Sequence, residues 1–291
     1  DLYRPYKEKK KTKATDAINN GLEPLAKQIM SFPLNGSFDE LAKKYINDNV
    51  KTTLDAVSGA KYIIAEWISD NAYYRKWIRT YIYRNGNISS SIKKTANDGA
   101  KIYEMYYNYT EPLKTVKPHR VLALNRGEKE KILTVNIDID EEKIINYLEG
   151  KIIKNDKSFV CDEVIDAIKD SYKRLIFPSI EREIRKELTE KANEQALKVV
   201  TKLADWAKKG TDNLNEDQFE KMLYCEHGGM CEAMANLYKI TKNQDYLNLS
   251  IRFIHKETIN PLIDLKDELE GKHANTQIPK VIGVATLYEI T

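Results

Sequence analysis

The sequence predicts a mainly α protein, a helical array that contains one small antiparallel β element. Three observations carry this prediction. Apolar residues recur every three or four positions over most of the chain, which is the period of a helix that buries one face. The 12 Gly and 8 Pro are scarce, and most of them lie between the periodic runs. One segment, Leu133 to Asp140, instead alternates apolar and polar residues at the period of a strand.

Turn and cap residues mark the first helices. The Asn35-Gly36 pair is a turn signal, Ser37 is a candidate N-cap, and Glu40 stands where it completes a capping box. A helix is therefore expected from about Phe38. Helical spacing then continues through the apolar residues Leu54, Val57, Tyr62, Ile64, Trp67, Ile68, Trp77, Ile78, Tyr81 and Ile82. The Asn85-Gly86 pair predicts a left-handed carboxyl-terminal cap.

The alternating segment Leu133 to Asp140 needs a partner strand. Val121 to Leu124 is a candidate, and the residues between the two segments would form the connection of a hairpin, with Gly127 supplying any positive φ. The antiparallel β element is thus expected between residues 121 and 139. Helices are expected to resume at Asp140, which is a candidate N-cap.

One long amphipathic helix is predicted from about Ser179 to Lys209. Its apolar residues recur every three or four positions until Gly210, and they are Ile180, Ile184, Leu188, Ala192, Ala196, Val199, Leu203 and Ala207. The next helix begins at Asn215, where Gln218 completes a second capping box. The sequence contains no internal repeat and no low-complexity segment.

Composition excludes several classes of protein. With 42% apolar and 31% charged residues, and a mean hydropathy of −0.58, the chain can bury a core, so a disordered chain is excluded. No run of eighteen apolar residues predicts a membrane span, and no apolar leader follows Asp1. The three cysteines are an odd and sparse set. A cytoplasmic protein without membrane partners is expected.

The first candidate site is a basic run close to the amino terminus. Lysines neutralise phosphates and tyrosines stack on bases, so this run, which is interleaved with Tyr3 and Tyr6, would hold RNA or DNA without reading sequence. Its cations are Arg4, Lys7, Lys9, Lys10, Lys11 and Lys13. The alternative is a solvated, frayed terminus.

A second cationic surface would contain Arg120 and Arg126, together with His119, Lys129 and Lys131. Glu128 and Glu130 dilute its positive charge. Local ion pairs that stabilise a hairpin explain these residues equally well.

Cysteine and tyrosine clusters give weaker signals. Cys225 and Cys231 flank His227, but this spacing is not a structural zinc pattern, so neither a metal site nor another cofactor is expected. Buried packing is the favoured interpretation of Cys161. The tyrosines Tyr103, Tyr106, Tyr107 and Tyr109 suit base stacking, but helix packing explains them equally well.

Residues 1 to about 195 resemble the Tex family of bacterial transcription accessory proteins. The matching segments are residues 3–15 (YRPYKEKKKTKAT), 21–26 (GLEPLA), 63–69 (IIAEWIS), 119–130 (HRVLALNRGEKE) and 177–185 (FPSIEREIR). The resemblance implies part of a nucleic-acid-associated scaffold. The other Tex elements, among them an S1 RNA-binding barrel, are not expected within these residues.

Residues from about 197 to 291 resemble the β-L-arabinofuranosidase family of glycoside hydrolases. The matching segments are residues 203–206 (LADW), 222–223 (ML), 226–230 (EHGGM), 237–241 (LYKIT), 246–247 (YL), 264–269 (DLKDEL) and 273–280 (HANTQIPK). This resemblance implies a helical-hairpin fragment of an (α/α)6 barrel. It also implies sugar contacts from His227 and His273, with Asn275, Thr276 and Gln277 on a loop beside them.

The glycosidase resemblance places the family's acid glutamate and its zinc-binding cysteines further along than residue 291. Glycoside cleavage needs an acid and a nucleophile or base on opposite sides of the bond. Glu226 and Glu232 are six positions apart, almost on different faces of one helix, and do not form such a pair. No catalytic residue is therefore assigned, and an inactive segment is expected.

The two resemblances change over between about Gln195 and Leu203, inside the predicted long helix. The predicted domains are residues 1–195, a Tex-like helical region, and residues 196–291, a partial barrel. The favoured function is weak, sequence-independent RNA or DNA binding by a Tex-like fragment. Two alternatives remain: a fragment of a β-L-arabinofuranosidase, and a chimeric chain with no evolved function. The carboxyl-terminal helices are expected to expose an apolar surface or to repack against the first region.

Overall fold

The computed structural model describes residues 11–225 and 228–291. The mainly α fold is confirmed, with one small antiparallel sheet among the described residues. The chain divides into two compact units, residues 1–192 and 193–291. None of the described helices is both long and apolar enough to cross a membrane.

The first unit contains nine α-helices and three strands in its described part, with α9 continuing into the second unit. In chain order they are α1 (Lys13–Asn19), α2 (Glu23–Ile29), α3 (Phe38–Ala42), α4 (Thr53–Asp70), α5 (Ala72–Asn85), β1 (Asn87–Ile92), β2 (Asn108–Pro112), α6 (Pro118–Lys129), β3 (Leu133–Asp138), α7 (Glu141–Ile152), α8 (Cys161–Asp170) and α9 (Phe177–Thr211). A π-helical segment, Ser171–Ile176, joins α8 to α9.

Side-chain caps explain several of these boundaries. Ser37 accepts a hydrogen bond from the Glu40 N–H at the start of α3, as predicted, but the Glu40 side chain does not return the second bond of the predicted capping box. Asn71 interrupts the predicted run between residues 54 and 82, because its side chain caps α5. The left-handed cap predicted at Gly86 is wrong, since its φ is −80°. Glycine is needed there for space: a Cβ would lie 2.7 Å from the Ile82 carbonyl oxygen.

The predicted strand at Leu133 is confirmed as β3, but its predicted hairpin partner is wrong. Residues 121–124 lie in helix α6, where Val121 and Leu124 are buried at helical spacing. The sheet has the order β2-β1-β3, and both pairings are antiparallel. Gly127 lies within α6 and does not have a positive φ. The residue with a positive φ between α6 and β3 is Lys131.

Helix α9 is continuous, as predicted, but its buried face is not. Ile180, Ile184, Leu188 and Ala192 are buried at a spacing of four residues. Val199 and Leu203 are exposed, whereas Ala204 and Ala207 are buried. The apolar stripe that the sequence predicts as one face is therefore split.

The second unit begins within α9 and is otherwise a set of shorter helices. They are α10 (Glu216–Cys225), α11 (Gly229–Thr241), α12 (Gln244–Arg252), α13 (Lys256–Ile263) and α14 (Ala274–Ile290). The capping box predicted at Asn215 is confirmed by reciprocal bonds with Gln218 of 2.9 and 3.0 Å. Helix α11 packs against both α12 and α14.

The second unit exposes an apolar surface, which is the first of the two outcomes expected from the sequence. Leu203 and Trp206 of α9 are 55% and 71% exposed, and Ile240 of α11 is 68% exposed. Beside these helices, an apolar groove of about 610 Å³ is lined by Leu197, Val200 and other residues of α9 and α11.

Candidate nucleic-acid interface and carboxyl-terminal polar cluster

The basic run is described only in part, because Arg4, Lys7, Lys9 and Lys10 lie outside the described residues. Lys11 is exposed and pairs with Asp16 at 3.4 Å. Lys13 is the first residue of helix α1, which begins with a capping box between Thr12 and Thr15. The Nζ of Lys13 lies 4.7 Å from the centre of the Tyr62 ring. The described end of the run is therefore anchored to α4 through Lys13.

Arg120 and Arg126 both lie on α6, and each has a carboxylate partner. Arg120 pairs with Glu111 of β2 at 2.9 Å, and Arg126 pairs with Glu130 at 2.8 Å. Because each guanidinium group donates a hydrogen bond to its carboxylate partner, the pKa of both arginines is raised. Each arginine can still approach a phosphate, but the neighbouring carboxylate opposes that contact.

The candidate stacking tyrosines use their hydroxyl groups inside the fold. Tyr103 is buried and donates to Glu130 at 2.8 Å, and Tyr107 donates to Asp98 at 2.8 Å. Tyr109 donates to Glu111, and burial together with this bond raises the pKa of Tyr109 to about 12. These three rings therefore pack in or against the core of the first unit, but their hydroxyl groups bond to carboxylates, whereas the packing interpretation of the sequence left them in water.

Sequence reasoning missed Lys93 and Lys94, which follow β1 directly. The Lys93 N–H donates to the Ile132 carbonyl at 2.9 Å, so these lysines lie at the same end of the sheet as Lys131. The sequence signal for this strand is weak, because only Ile88 and Ile92 are apolar and the three serines between them resemble a loop. The strand places two lysines beside a cationic segment that the sequence had already singled out.

The second unit contains a buried polar cluster around His255, which is 4% exposed. Lys280 is 3% exposed and its Nζ donates to His255 Nδ1 at 2.6 Å. Since Nδ1 accepts this bond, the ring proton belongs on Nε2, which lies 3.5 Å from a carboxylate oxygen of Glu220. Burial is the main cause that lowers the pKa of His255, and burial also lowers the pKa of Lys280.

Three of the four predicted sugar contacts lie beside this cluster along the chain, and His227 lies outside the described residues. His273 is the exposed N-cap residue of α14, and Asn275 is exposed in the first turn of that helix. Gln277 accepts a hydrogen bond from Thr258 at 3.1 Å. The expected loop at residues 275–277 is wrong, because these residues are helical.

The two cysteines with described side chains are buried. Cys161 begins α8, and burial raises the pKa of its thiol. Cys231 lies in α11, with its Sγ 3.6 Å from Ser250 Oγ. Among residues 11–225 and 228–291, no group of three or more His, Cys, Asp or Glu side chains is arranged to hold a metal ion.

Comparison with known protein families gives two matches, and both were predicted from the sequence. Residues 36–200 match the model of the Tex central region, and residues 187–291 match the model of the β-L-arabinofuranosidase GH127 catalytic domain. The matches overlap over residues 187–200, inside α9. The chain thus joins segments with two separate family resemblances.

Several curated proteins are similar to this chain. Uncharacterized protein YdcI of Bacillus subtilis is 53% identical over 202 residues, which are 68% of this chain and 28% of the relative. Transcriptional accessory protein Tex of Neisseria gonorrhoeae is 28% identical over 68% of this chain and 27% of its own length. Human S1 RNA-binding domain-containing protein 1 is 30% identical over 66% of this chain and 21% of its own length.

The chain therefore spans less than a third of the length of these relatives. The Tex match itself covers more than half of the chain. On this match, the chain belongs to the Tex central-region family.

Proposed function

We propose that this chain binds RNA or DNA weakly and without sequence preference, as a Tex-like transcription accessory fragment. The observation that carries the proposal is the charge of the segment from Arg4 to Lys13, which holds six cations and only one carboxylate, Glu8. Such a run attracts a phosphate backbone by counterion release, while Tyr3 and Tyr6 supply rings for stacking. Membership of the Tex family, and the printed names of its relatives, support the proposal.

Fluorescence anisotropy with labelled 12-nucleotide strands tests this function. RNA and DNA strands of mixed and homopolymeric sequence are titrated with the full chain at about 20 and 200 mM salt. We expect similar affinity for all sequences and a loss of about tenfold or more between the two salt concentrations. A variant with Lys7, Lys9, Lys10 and Lys11 changed to Gln should bind more weakly. Absence of any anisotropy change at low salt would disprove the function.

A second candidate function rests on the GH127 match of residues 187–291. In this proposal, residues 196–291 form a partial barrel that contacts sugar through His227, His273, Asn275 and Gln277, without catalysing cleavage. Incubation with a chromogenic β-L-arabinofuranoside provides the test. We expect no turnover above a His227→Ala/His273→Ala control, and turnover that this control abolishes would contradict the inactive assignment.

The third interpretation, a join without an evolved function, is tested on DNA. A single long read of source DNA across the codons for residues 180–220 shows whether both segments lie on one molecule. An uninterrupted read would contradict misassembly, and the binding assay would then apply to the natural chain. A read that separates the segments would assign each to its own protein.

A further inference from the structure

The sheet of the first unit has one polar face. Residues that oppose each other in an antiparallel pair lie on the same face, and the register pairs Ser91 with Thr134 and with Asn108. Towards the Ser91 end of β1, the residues of this face carry hydroxyl or amide groups and are exposed or half-buried, and they are Ser89, Ser91, Asn108, Thr110, Thr134 and Asn136. At the opposite end of the sheet, the same face carries Asn87, Pro112 and the exposed carboxylate of Asp138. The opposite face is apolar and belongs to the core, with Ile88 and Val135 among its buried residues.

Four lysines lie at one end of this sheet. Lys93 and Lys94 leave β1, Lys129 ends α6, and Lys131 stands two residues before β3. The hydrogen bond from the Lys93 N–H to the Ile132 carbonyl joins the two segments. Lys93 is half-buried and the other three lysines are exposed. Within the described part of the chain, none of the four forms an ion pair with a carboxylate.

The carboxylates within residues 93–107 and 126–132 already have donors, and the exposed Asp138 lies at the opposite end of the sheet. Asp98 accepts from the Ile102 and Tyr103 N–H groups and from the Tyr107 hydroxyl. The remaining carboxylates are ion-paired: Glu104 with Lys101, Glu128 with Arg185, and Glu130 with Arg126. These pairs leave the charge of the four lysines uncompensated, so this end of the sheet is positive.

We propose that this polar face and its four lysines, together called the sheet-end surface, bind the phosphodiester backbone of a nucleic acid. This inference rests on the proposed function and adds to it an interface that is separate from the basic run. Lysines supply the charge, and short hydroxyl and amide side chains donate hydrogen bonds to phosphate oxygens. The face carries no aromatic ring among its six residues, so it contacts the backbone without stacking on bases.

Nucleic acid suits this surface better than an acidic protein does. A strand carries charge at a regular spacing along its length, and it can extend from the lysines across the row of hydroxyl and amide groups. Contact with the backbone alone also requires no base-reading pocket. An acidic polypeptide is tested as the competing ligand.

Two matched variants test the sheet-end surface in the full chain. The first changes Lys93, Lys94, Lys129 and Lys131 to Gln, and the second changes four exposed lysines elsewhere in the first unit. The control lysines are Lys51, Lys151, Lys154 and Lys157. Both variants lose the same charge. Circular dichroism melts confirm that both remain folded.

Anisotropy is measured with a labelled 12-nucleotide strand between about 20 and 200 mM salt. We expect the Kd of the sheet-end variant to rise about tenfold or more at low salt, with the slope of log affinity against log salt falling by up to about 3. The control variant should remain within about twofold of the unsubstituted chain. A third variant, Ser91→Asp, should weaken binding severalfold, because it places a negative charge on the face.

The outcomes separate this inference from the proposed function. Equal weakening in both matched variants, or none in either, would overturn the sheet-end surface while leaving nucleic-acid binding intact. If the unsubstituted chain did not bind the strand at all, the proposed function itself would be overturned. Polyglutamate that binds as tightly as the strand and depends on the same four lysines would overturn the assignment to nucleic acid.

Discussion

Gly127 is fixed by the space around it, although it lies inside a helix where alanine is intrinsically favoured. A Cβ at this position would lie 2.6 Å from Leu133 Cδ1 and 3.0 Å from Tyr103 Cδ1. We expect Gly127→Ala to lower the free energy of unfolding by about 1 to 2 kcal/mol, because overpacking outweighs the gain in helix propensity. Urea unfolding followed by fluorescence of Trp67 and Trp77 measures the change.

Gly150 in α7 is the matched control, because a Cβ there would have no neighbour within 4 Å. Gly150→Ala should raise the free energy of unfolding by up to about 1 kcal/mol. If both substitutions stabilised the first unit alike, the close packing of Gly127 against Leu133 would be contradicted.

His255 makes the stability of the second unit depend on pH. Burial, together with the Lys280 ammonium, keeps the pKa of His255 below its ordinary value. Glu220 and Glu257 act in the opposite direction, and Lys272 acts in the same direction as Lys280. Unfolded His255 gains a proton near pH 6.5 while the folded residue resists it, so stability falls as the pH drops below about 6.5. The pKa of Lys280 is also lowered, so its deprotonation makes stability rise with pH in the alkaline range, in the same direction as for His255.

Pulse labelling of thiols with a maleimide in increasing urea measures this effect. Cys231 reports on the second unit and Cys161 on the first, since both are buried. Between pH 7.5 and pH 5.5, we expect the urea midpoint at Cys231 to fall, and His255→Gln should flatten this dependence. An unchanged pH profile in the variant would exclude His255 as the cause.

At the scale of elements, α5 is joined to α9 by a buried arginine. Arg75 is 1% exposed, and its Nη2 donates to Glu183 at 2.9 Å and to Ser179 at 3.1 Å. Removing the carboxylate leaves a buried charge less well compensated. We expect Glu183→Ala to lower the free energy of unfolding by about 2 kcal/mol or more, measured by urea unfolding.

The control is Glu190→Ala, about two turns further along α9. Glu190 pairs with Lys186 at 3.7 Å, and both side chains are more than half exposed. Its loss should cost less than about 0.5 kcal/mol. Equal effects at the two positions would show that burial of Arg75 does not govern this contact.

The accuracy of prediction at this scale depended on whether a pattern was local. The caps at Ser37, Asp140 and Asn215 were predicted because their hydrogen bonds join residues only two or three positions apart. The strand β3 was predicted from its own alternation. Its partner was not, because strand β1 is rich in serine and its pairing is set by tertiary contacts.

The candidate site was predictable in charge but not in arrangement. The cationic residues of α6 are evident in the sequence, whereas their carboxylate partners depend on the fold. Lys93 gains its significance only when the register places it beside Ile132. In the second unit, His255 gave no sequence signal, since its partner Lys280 is 25 residues away along the chain.

At the scale of the whole molecule, the two units differ in the size of their cores. The first unit has one contiguous cluster of buried residues that extends from Ala14 to Ala192. The described part of the second unit has two small clusters, one that includes Met234 and Leu249 and one that includes Cys231 and Leu287. Because stability depends mainly on buried apolar area, the second unit is expected to open at lower cost.

Limited proteolysis with trypsin tests this difference. The segment from Leu265 to Lys272 is mostly exposed and lies between α13 and α14, so Lys266 and Lys272 offer cleavage sites in the less stable unit. We expect the first cuts to fall on the carboxyl-terminal side of Gly210, with intact-mass spectrometry detecting a long amino-terminal fragment. The segment after β1 supplies the internal control, because Lys94 and Lys101 are also exposed. Early cleavage within residues 40–110 would contradict the lower stability of the second unit, since it would place the first opening in the larger core.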